Sequence, residues 1–251
     1  YTPRTLFPYT TLFRSKMNDT NKYDTNTKAT IGEVVVAIPQ AAQIFGEFGI
    51  DYCCGGHRLL ADIIREQGVN EIELYARLDQ AQEERKKGYE NQEKNFNEMS
   101  PTVLSAYIED THHSYLRHAL PEAAELLSTI LRVHGKNHRE LFVVYRLFGQ
   151  LKSDLEQHLL KEETILFPDL DQVDNHLEEI IELTAEIIAE HEGAGEILRE
   201  LRLVTSDYKV PEGTCNTFLK TYSLLEEIEQ DLHQHIHLEN NILLQKYAQR
   251  M

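Results

Sequence analysis

At 251 residues the chain is long enough for one substantial core and a small second domain. Its 42 acidic residues against 25 basic ones leave a formal charge of −17, which argues against nucleic acid or an anionic membrane as the main partner. No apolar run approaches the roughly 18 to 20 residues of a membrane span, and three cysteines, two of them adjacent, make no disulfide framework; a soluble, cytoplasmic protein of a reducing compartment is expected.

The first sixteen residues, YTPRTLFPYTTLFRSK, lack the charged start, apolar stretch and small-residue cleavage site of a signal peptide. TLF recurs at Thr5 and Thr11 and does not continue downstream, so residues 1–16 are expected to be a non-native leader resembling adapter sequence, with the natural chain starting at Met17. Residues 17–29 are polar and turn-rich and are expected to be disordered. Residues 30–82 read as a small helical domain. Thr30 with Glu33 makes a capping box for a helix ending before Pro39. Pro39 opens a second helix, carrying Ala42, Phe45 and Phe48, which Gly49 stops. After DYCCGGH, one amphipathic segment holds Leu59, Leu60, Ile63 and Ile64 and ends near Gly68; another starts under Asn70 with Glu73 and runs to about Gln82. Residues 83–100 are charged, without a sustained apolar face, and read as a linker or exposed helix.

Residues 101–251 carry long helical patterns: Pro101 to about Val133 with Pro121 inside, His138 to Phe167 with a stop at Pro168, Gln172 to Leu203, and a fourth after Pro211 and Gly213 reaching about Tyr247. Four long helices with short connections imply an antiparallel four-helix bundle, and an all-α protein overall. Stepping by three and four along the fourth helix gives a seam of Leu225, Ile228, Leu232, His235, Glu239 and Ile242. The second helix gives Leu141, Val144, Phe148, Leu151, Leu155, His158, Glu162 and Ile165. Both thus place an H-x-x-x-E pair where a core should be apolar. A lone pair of this kind is more often a self-satisfying hydrogen bond; two matched pairs need another reason, because burying unpartnered carboxylates is costly. The third helix adds His191 to a seam of Leu177, Ile180, Thr184, Ile187, Ala194, Leu198 and Leu201. In the first helix, His113 shares a face with Val103, Ala106 and Leu120 while His112 lies with Leu116, and periodicity does not choose between them. Four histidines, two glutamates and no cysteine suit iron, manganese or zinc, and are too many for one closed tetrahedral zinc site. They fit two metals, each with two histidines and shared carboxylates, and a di-iron site is the expectation.

These residues resemble the hemerythrin-like domain, and the chain from about Thr30 onward is similar to the iron–sulfur cluster repair di-iron (RIC, ScdA/YtfE) family. The resemblance rests on IPQAAQIFGEFGIDYCCGGHRLL at the N-terminal side and on HHSYLRHALP, VHG, HLLKEETILFP, EHEGAGEIL and HIHLENNIL in the bundle. It implies iron ligands at His113, His158, Glu162, His191, His235 and Glu239, the glutamates bridging two iron ions per chain; placement before Leu120-Pro121 selects His113 over His112. It implies repair of iron–sulfur clusters damaged by oxidative or nitrosative stress, damaged iron–sulfur proteins as partners, and a homodimer. The chain departs from the family where Leu243-Leu244-Gln245 replaces a closing L-F-P. Its inward histidine set is one short of the oxygen-carrying hemerythrins, which favours repair or donation over reversible carriage.

Cys53 and Cys54 precede Gly55-Gly56 and a helix, whose terminal amides are expected to lower a thiol pKa. A vicinal disulfide would be strained, the two Cα atoms being about 3.8 Å apart. A thiol role is expected for both: delivery of iron, docking to a damaged cluster, or reaction with nitric oxide. Cys215 reads as structural, His134 and His138 as capping or surface residues, and His57, His118, His176, His233 and His237 as facing solvent. The leading function is cluster repair by iron donation or nitric oxide removal. The alternatives are an oxygen or nitric oxide binding or sensing module, a di-iron oxidoreductase whose electron donor the sequence does not name, and a helical interaction protein without metal.

Overall fold

The structure is a computed structural model that describes residues 29–86, 95–170 and 177–248. The expected leader, the stretch 17–28 and His176 lie outside the described residues. Every extended regular element among those residues is helical, apart from an isolated bridge between Thr30 and Leu59.

In the N-terminal part, α1 (Ile31–Ala37) opens with the expected capping box. Thr30 Oγ1 accepts the Glu33 N–H at 3.2 Å, and the Glu33 carboxylate accepts the Thr30 N–H at 2.8 Å. Pro39 stands in the turn before α2 (Ala41–Glu47) rather than opening the helix, and Gly49, at φ +68°, closes it. The Cys53-Cys54 turn leads through a single 3₁₀ turn, Gly55–His57, into α3 (Leu60–Gln67). Asn70 Oδ1 accepts the Glu73 N–H at the start of α4 (Glu71–Lys86), which extends past its expected end into the stretch read as linker. Farther along that stretch, Phe96 and Met99 pack against the bundle interior.

The first bundle helix is built from α5 (Pro101–Ile108), a π-helical stretch Glu109–His113 and α6 (Ser114–His134). The second is α7 (Glu140–Lys161), a π stretch Glu162–Leu166 and α8 (Phe167–Leu170). The third is α9 (Leu177–Val204); the fourth is α10 (Asn216–His237), a π stretch Leu238–Leu243 and α11 (Leu244–Ala248). α6 packs on α7 and α10, and α7 on α9, giving the antiparallel four-helix arrangement. The second helix passes through Pro168 instead of stopping there. In the π stretch before it, Phe167 N–H bonds five residues back to Glu162 O, and this wider turn takes up the irregularity that a proline without an N–H introduces.

Each π stretch inserts one residue into the helical phase, and the apolar seam shifts with it. Beyond Glu162, Ile165 turns outward at 47 % exposure while Leu166 is buried, and at the start of the first helix Val103 is exposed while Leu104 and Ile108 are buried. α9 has no such insertion, and its seam keeps the expected spacing from Ile180 to Leu201.

The buried apolar residues of the bundle form two clusters. One includes Leu116, Leu127, Phe148, Leu155, Phe218 and Leu232; the other includes Leu104, Ile108, Leu166, Ile187, Leu238 and Leu243. The inward histidines and glutamates lie between them along every helix. The N-terminal core reaches onto the bundle, since Ile236 of α10 packs with Ile31, Phe45 and Leu74.

Candidate metal centre

The π stretches place the polar layer: His113 ends the first, Glu162 begins the second, and Glu239 lies in the third. All six residues named from the sequence are buried, at 3 % exposure or less, and they converge. His113, Glu162, His235 and Glu239 form one group able to hold a metal ion; His158, Glu162, His191 and Glu239 form another. Glu162 and Glu239 belong to both. Glu162 Oε1 lies 3.3 Å from His158 Nε2, and its Oε2 lies 3.4 Å from His113 Nε2. Glu239 Oε1 lies 3.0 Å from His235 Nε2, and its Oε2 lies 3.1 Å from His191 Nε2. The histidines pair Nε2 to Nε2, His113 with His235 at 3.2 Å and His158 with His191 at 3.0 Å. Donors about 2.1 Å from a common ion, set at right angles, stand about 3 Å apart, so these separations match the edges of coordination polyhedra.

The unmet valences point the same way. Both oxygens of Glu162 and Oε2 of Glu239 are buried without a hydrogen bond, a costly state for carboxylates that a cation relieves. The histidines are prepared to offer their Nε2 lone pairs. His113 Nδ1 donates to Glu163 Oε1 at 2.8 Å, His158 Nδ1 to Glu190 Oε2 at 2.8 Å, and His191 Nδ1 to Asn240 Oδ1 at 2.9 Å. A carboxylate or amide oxygen only accepts, so the proton sits on Nδ1 and leaves Nε2 free to bind metal. Arg117 pairs with Glu163, and Lys161 pairs with Glu190. The His158 imidazole, followed by Lys161, holds the Glu190 carboxyl down at about 2, so it is ionised. Burial works to lower the His191 pKa, but the Glu239 and Glu162 carboxylates outweigh it and raise it to about 9, so with no cation in the layer its Nε2 keeps a proton that metal binding displaces. In His235 burial prevails, and its pKa falls. The layer thus calls for positive charge.

Sequence reasoning missed Glu163, Glu190 and Asn240. Each is the chain neighbour of a candidate ligand and so falls off the seam that three-and-four stepping follows. His112 is buried too, but outside the convergence: its Nδ1 lies 2.9 Å from Asp231 Oδ1 and its ring stacks 5.7 Å from that of His235. A groove of 480 Å³ between α7 and α9 reaches His158, His191 and Glu190 from a rim that includes Asp154, Glu196 and Glu200.

The remaining histidines divide. His57 and His118 are exposed, as expected. His237 is not: it is 3 % exposed, against Tyr52, and accepts from Asn241 Nδ2 at 3.1 Å. His233 is partly covered by the same tyrosine. The face of α10 opposite the seam is occupied by the N-terminal domain, which a single-helix reading does not anticipate. Burial lowers the His237 pKa to about 4, keeping it neutral.

The cysteine turn sits on the bundle. Cys54 Sγ lies 3.3 Å from the His191 carbonyl oxygen, and Asn241 Nδ2 donates to Tyr52 O at 3.2 Å and Cys53 O at 3.4 Å. The two sulfurs are 3.8 Å apart, and both are free thiols. The expected lowering by helix-terminal amides does not occur at Cys53. Only a three-residue 3₁₀ turn follows, and the Cys54 sulfur, burial and the Asp51 carboxylate raise the Cys53 pKa well above the ordinary thiol range. Cys215 is exposed at the N-terminus of α10, 3.2 Å from His134 Nε2.

Residues 105–247 match the hemerythrin HHE cation binding domain, and residues 27–82 match the ScdA_N domain of unknown function, DUF542. The chain is 30 % identical to iron-sulfur cluster repair protein ScdA of Staphylococcus epidermidis, over 87 % of this chain and 97 % of that one. It is 33 % identical to iron-sulfur cluster repair protein YtfE of Pectobacterium atrosepticum, over 85 % and 94 %, and 32 % identical to a probable iron-sulfur cluster repair protein of Haemophilus influenzae, over 85 % and 93 %.

Proposed function

The chain belongs to the ScdA/YtfE family of hemerythrin-domain proteins, and from that membership we propose that it repairs damaged iron–sulfur clusters. In this reading the bundle holds two iron ions, His113 and His235 on one, His158 and His191 on the other, with Glu162 and Glu239 bridging. One observation carries the assignment: each carboxylate turns its two oxygens to different histidine pairs, and three of those four oxygens have no hydrogen-bond donor. Bound iron would supply a labile metal and open positions for small ligands such as oxygen or nitric oxide. The protein residues hold the Nε2 lone pairs inward and balance the charge. The acid-rimmed groove between α7 and α9 gives a cation a lateral route to His158 and His191.

The damaged clusters of iron–sulfur proteins are the proposed partners, served by iron donation or nitric oxide removal, in the cytoplasm. Three free thiols fit that compartment, and no helix among the described residues is long and apolar enough to cross a membrane. A homodimer is part of the proposal; Phe142 and Tyr145, exposed on α7, offer it an apolar face.

The test is metal content per chain in anaerobically purified protein beside a His158→Ala, His235→Ala double variant. About two irons, lost in the variant, support the reading, and transfer to an apo-cluster protein is the assay that follows. Little iron after reconstitution, with the variant folding normally, overturns it. Tight iron with reversible ligand spectra and no dependence on Cys53 and Cys54 would instead favour a binding or sensing module.

A further inference from the structure

We propose that the Asp51–Cys53–Cys54 turn is a second metal site, of thiolate character, open to solvent and seated against the bundle centre. Asp51, Cys53 and Cys54 converge so that one ligand atom from each lies within 4.8 Å of the others. The two sulfurs are 3.8 Å apart, and the Cys53 sulfur is 3.2 Å from Asp51 Oδ1. In a tetrahedral site with metal–sulfur bonds of about 2.3 Å, two sulfurs stand about 3.8 Å apart. A sulfur and an oxygen bound at about 2.1 Å stand about 3.6 Å apart in the same site, so the carboxylate needs to move only by tenths of an ångström. A disulfide would require these sulfurs to close to about 2 Å across adjacent residues, whereas a metal takes them where they are.

The local backbone builds this arrangement. Asp51 Oδ1 accepts the Cys53 N–H at 3.1 Å and the Cys54 N–H at 3.0 Å, which holds the carboxylate on the same side of the turn as the thiols. Asn241 clamps the turn from α10's π-helical extension, through the carbonyls of Tyr52 and Cys53. Gly56 packs so closely on that asparagine that a β-carbon would fall 2.3 Å from its Oδ1. On the third helix Gly195 leaves room for Cys54, whose sulfur would lie 3.2 Å from a β-carbon there.

Cys53 is buried, Cys54 half-buried and Asp51 exposed, so the cluster is walled by protein on one side and open on the other. Two sulfurs and one oxygen leave a fourth tetrahedral position for water or an incoming ligand, the pattern of a site that exchanges its metal. Its chemistry selects borderline and soft cations, ferrous iron and zinc over magnesium or calcium. Binding takes both sulfurs as thiolates and releases their protons to solvent. The site shares no residue with the bundle centre, yet touches it where Cys54 meets the His191 carbonyl. It therefore stands independently of the proposed iron content of the bundle.

Cobalt(II) titration of the full, reduced chain tests it, because the bundle layer contains no sulfur. Occupation of the turn gives a thiolate-to-cobalt charge-transfer band with a tetrahedral ligand-field spectrum, which nitrogen and oxygen ligands in the bundle do not produce. The band is expected to persist in Cys215→Ser, to vanish in Cys53→Ser, Cys54→Ser, and to weaken at least tenfold in apparent affinity in Asp51→Asn. Helical circular dichroism and iron content, measured on the same variants, are expected to stay at the parent level. Absence of the band in the parent chain, or its survival in the double serine variant, overturns the proposal. Loss of bundle iron in His158→Ala, His235→Ala with the band intact supports it and separates the two sites.

Discussion

Replacing Gly56 by alanine tests how the cysteine turn is held on the bundle. Gly56 does not have a positive φ, so space rather than backbone freedom is what it provides. The added β-carbon falls 2.3 Å from Asn241 Oδ1 and 2.7 Å from Nδ2, and Asn241 has to rotate away. Doing so breaks its contacts to Tyr52 O, Cys53 O and His237 Nδ1, which lie 3.2, 3.4 and 3.1 Å from Nδ2. The amide has two hydrogens, so two full bonds are lost; at about 1 kcal/mol each and a similar amount for local overpacking, Gly56→Ala should cost about 3 kcal/mol. Asn241→Ala alone should cost about 2 kcal/mol by leaving the same acceptors bare. The two losses overlap, so in the Asn241→Ala background Gly56→Ala should cost less than about 1 kcal/mol, a coupling of about 2 kcal/mol. The assay is urea unfolding of the iron-loaded chain at fixed free iron, with amide exchange followed over residues 50–58. Exchange there should accelerate in both single variants while iron content holds. Additivity within about 0.5 kcal/mol, or unchanged protection of the turn, would refute the account.

Glu229, 3 % exposed, takes its ion pair from Arg202 Nε at 2.9 Å, the arginine being partly open to solvent; Arg202→Met should lower stability by about 2 kcal/mol, and adding Glu229→Leu should recover most of it in thermal melts. Removing the acceptors behind the histidines, by Glu163→Leu or Glu190→Leu, should weaken iron binding about 10–100-fold in competition with a chelator, with helix content retained. The Cys215 thiol is lowered to about 7 by His134 and then by the amides opening α10, so its thiolate persists down to neutral pH. Iodoacetamide labelling, read by mass spectrometry, should be half-maximal near pH 7, and His134→Ala should move that midpoint up toward the ordinary 9.0; coincident midpoints would refute the pairing.

Helical phase made most of the bundle legible from the sequence. Along α9, with no interruption, three-and-four stepping found the buried Ile180, Ile187, His191, Ala194, Leu198 and Leu201, and passed over only the flanking Ile197 among its buried apolar side chains. It also found His158, Glu162, His235 and Glu239, because each H-x-x-x-E pair ends at or within the first residues of a π stretch, before the phase slips. Past the slip it failed, at Ile165 and at Val103. The first helix was ambiguous for the same reason: π geometry brings both His112 and His113 inside, and only position in three dimensions separates the converging residue from the one stacked behind it. His237 and the bracing of the cysteine turn were illegible because they depend on a second domain lying against α10. No periodicity within one helix encodes what covers its outer face.

The polar layer lies between two apolar clusters that share no residue. Each cluster can hold its own end of the bundle together, but with no cation present the layer between them has only hydrogen bonds such as His113–Glu163, His158–Glu190 and His191–Asn240 to set against its unmet acceptors. Two cations, one in each group and together drawing on all four helices, would act as a weld across that fault line. Calorimetry should therefore show one sharp transition in the loaded protein and two broader ones after chelation, the first belonging to the end that carries Leu104, Leu166 and Leu243. Giving up its metal would then also loosen this protein, so that an empty copy is marked by its softness.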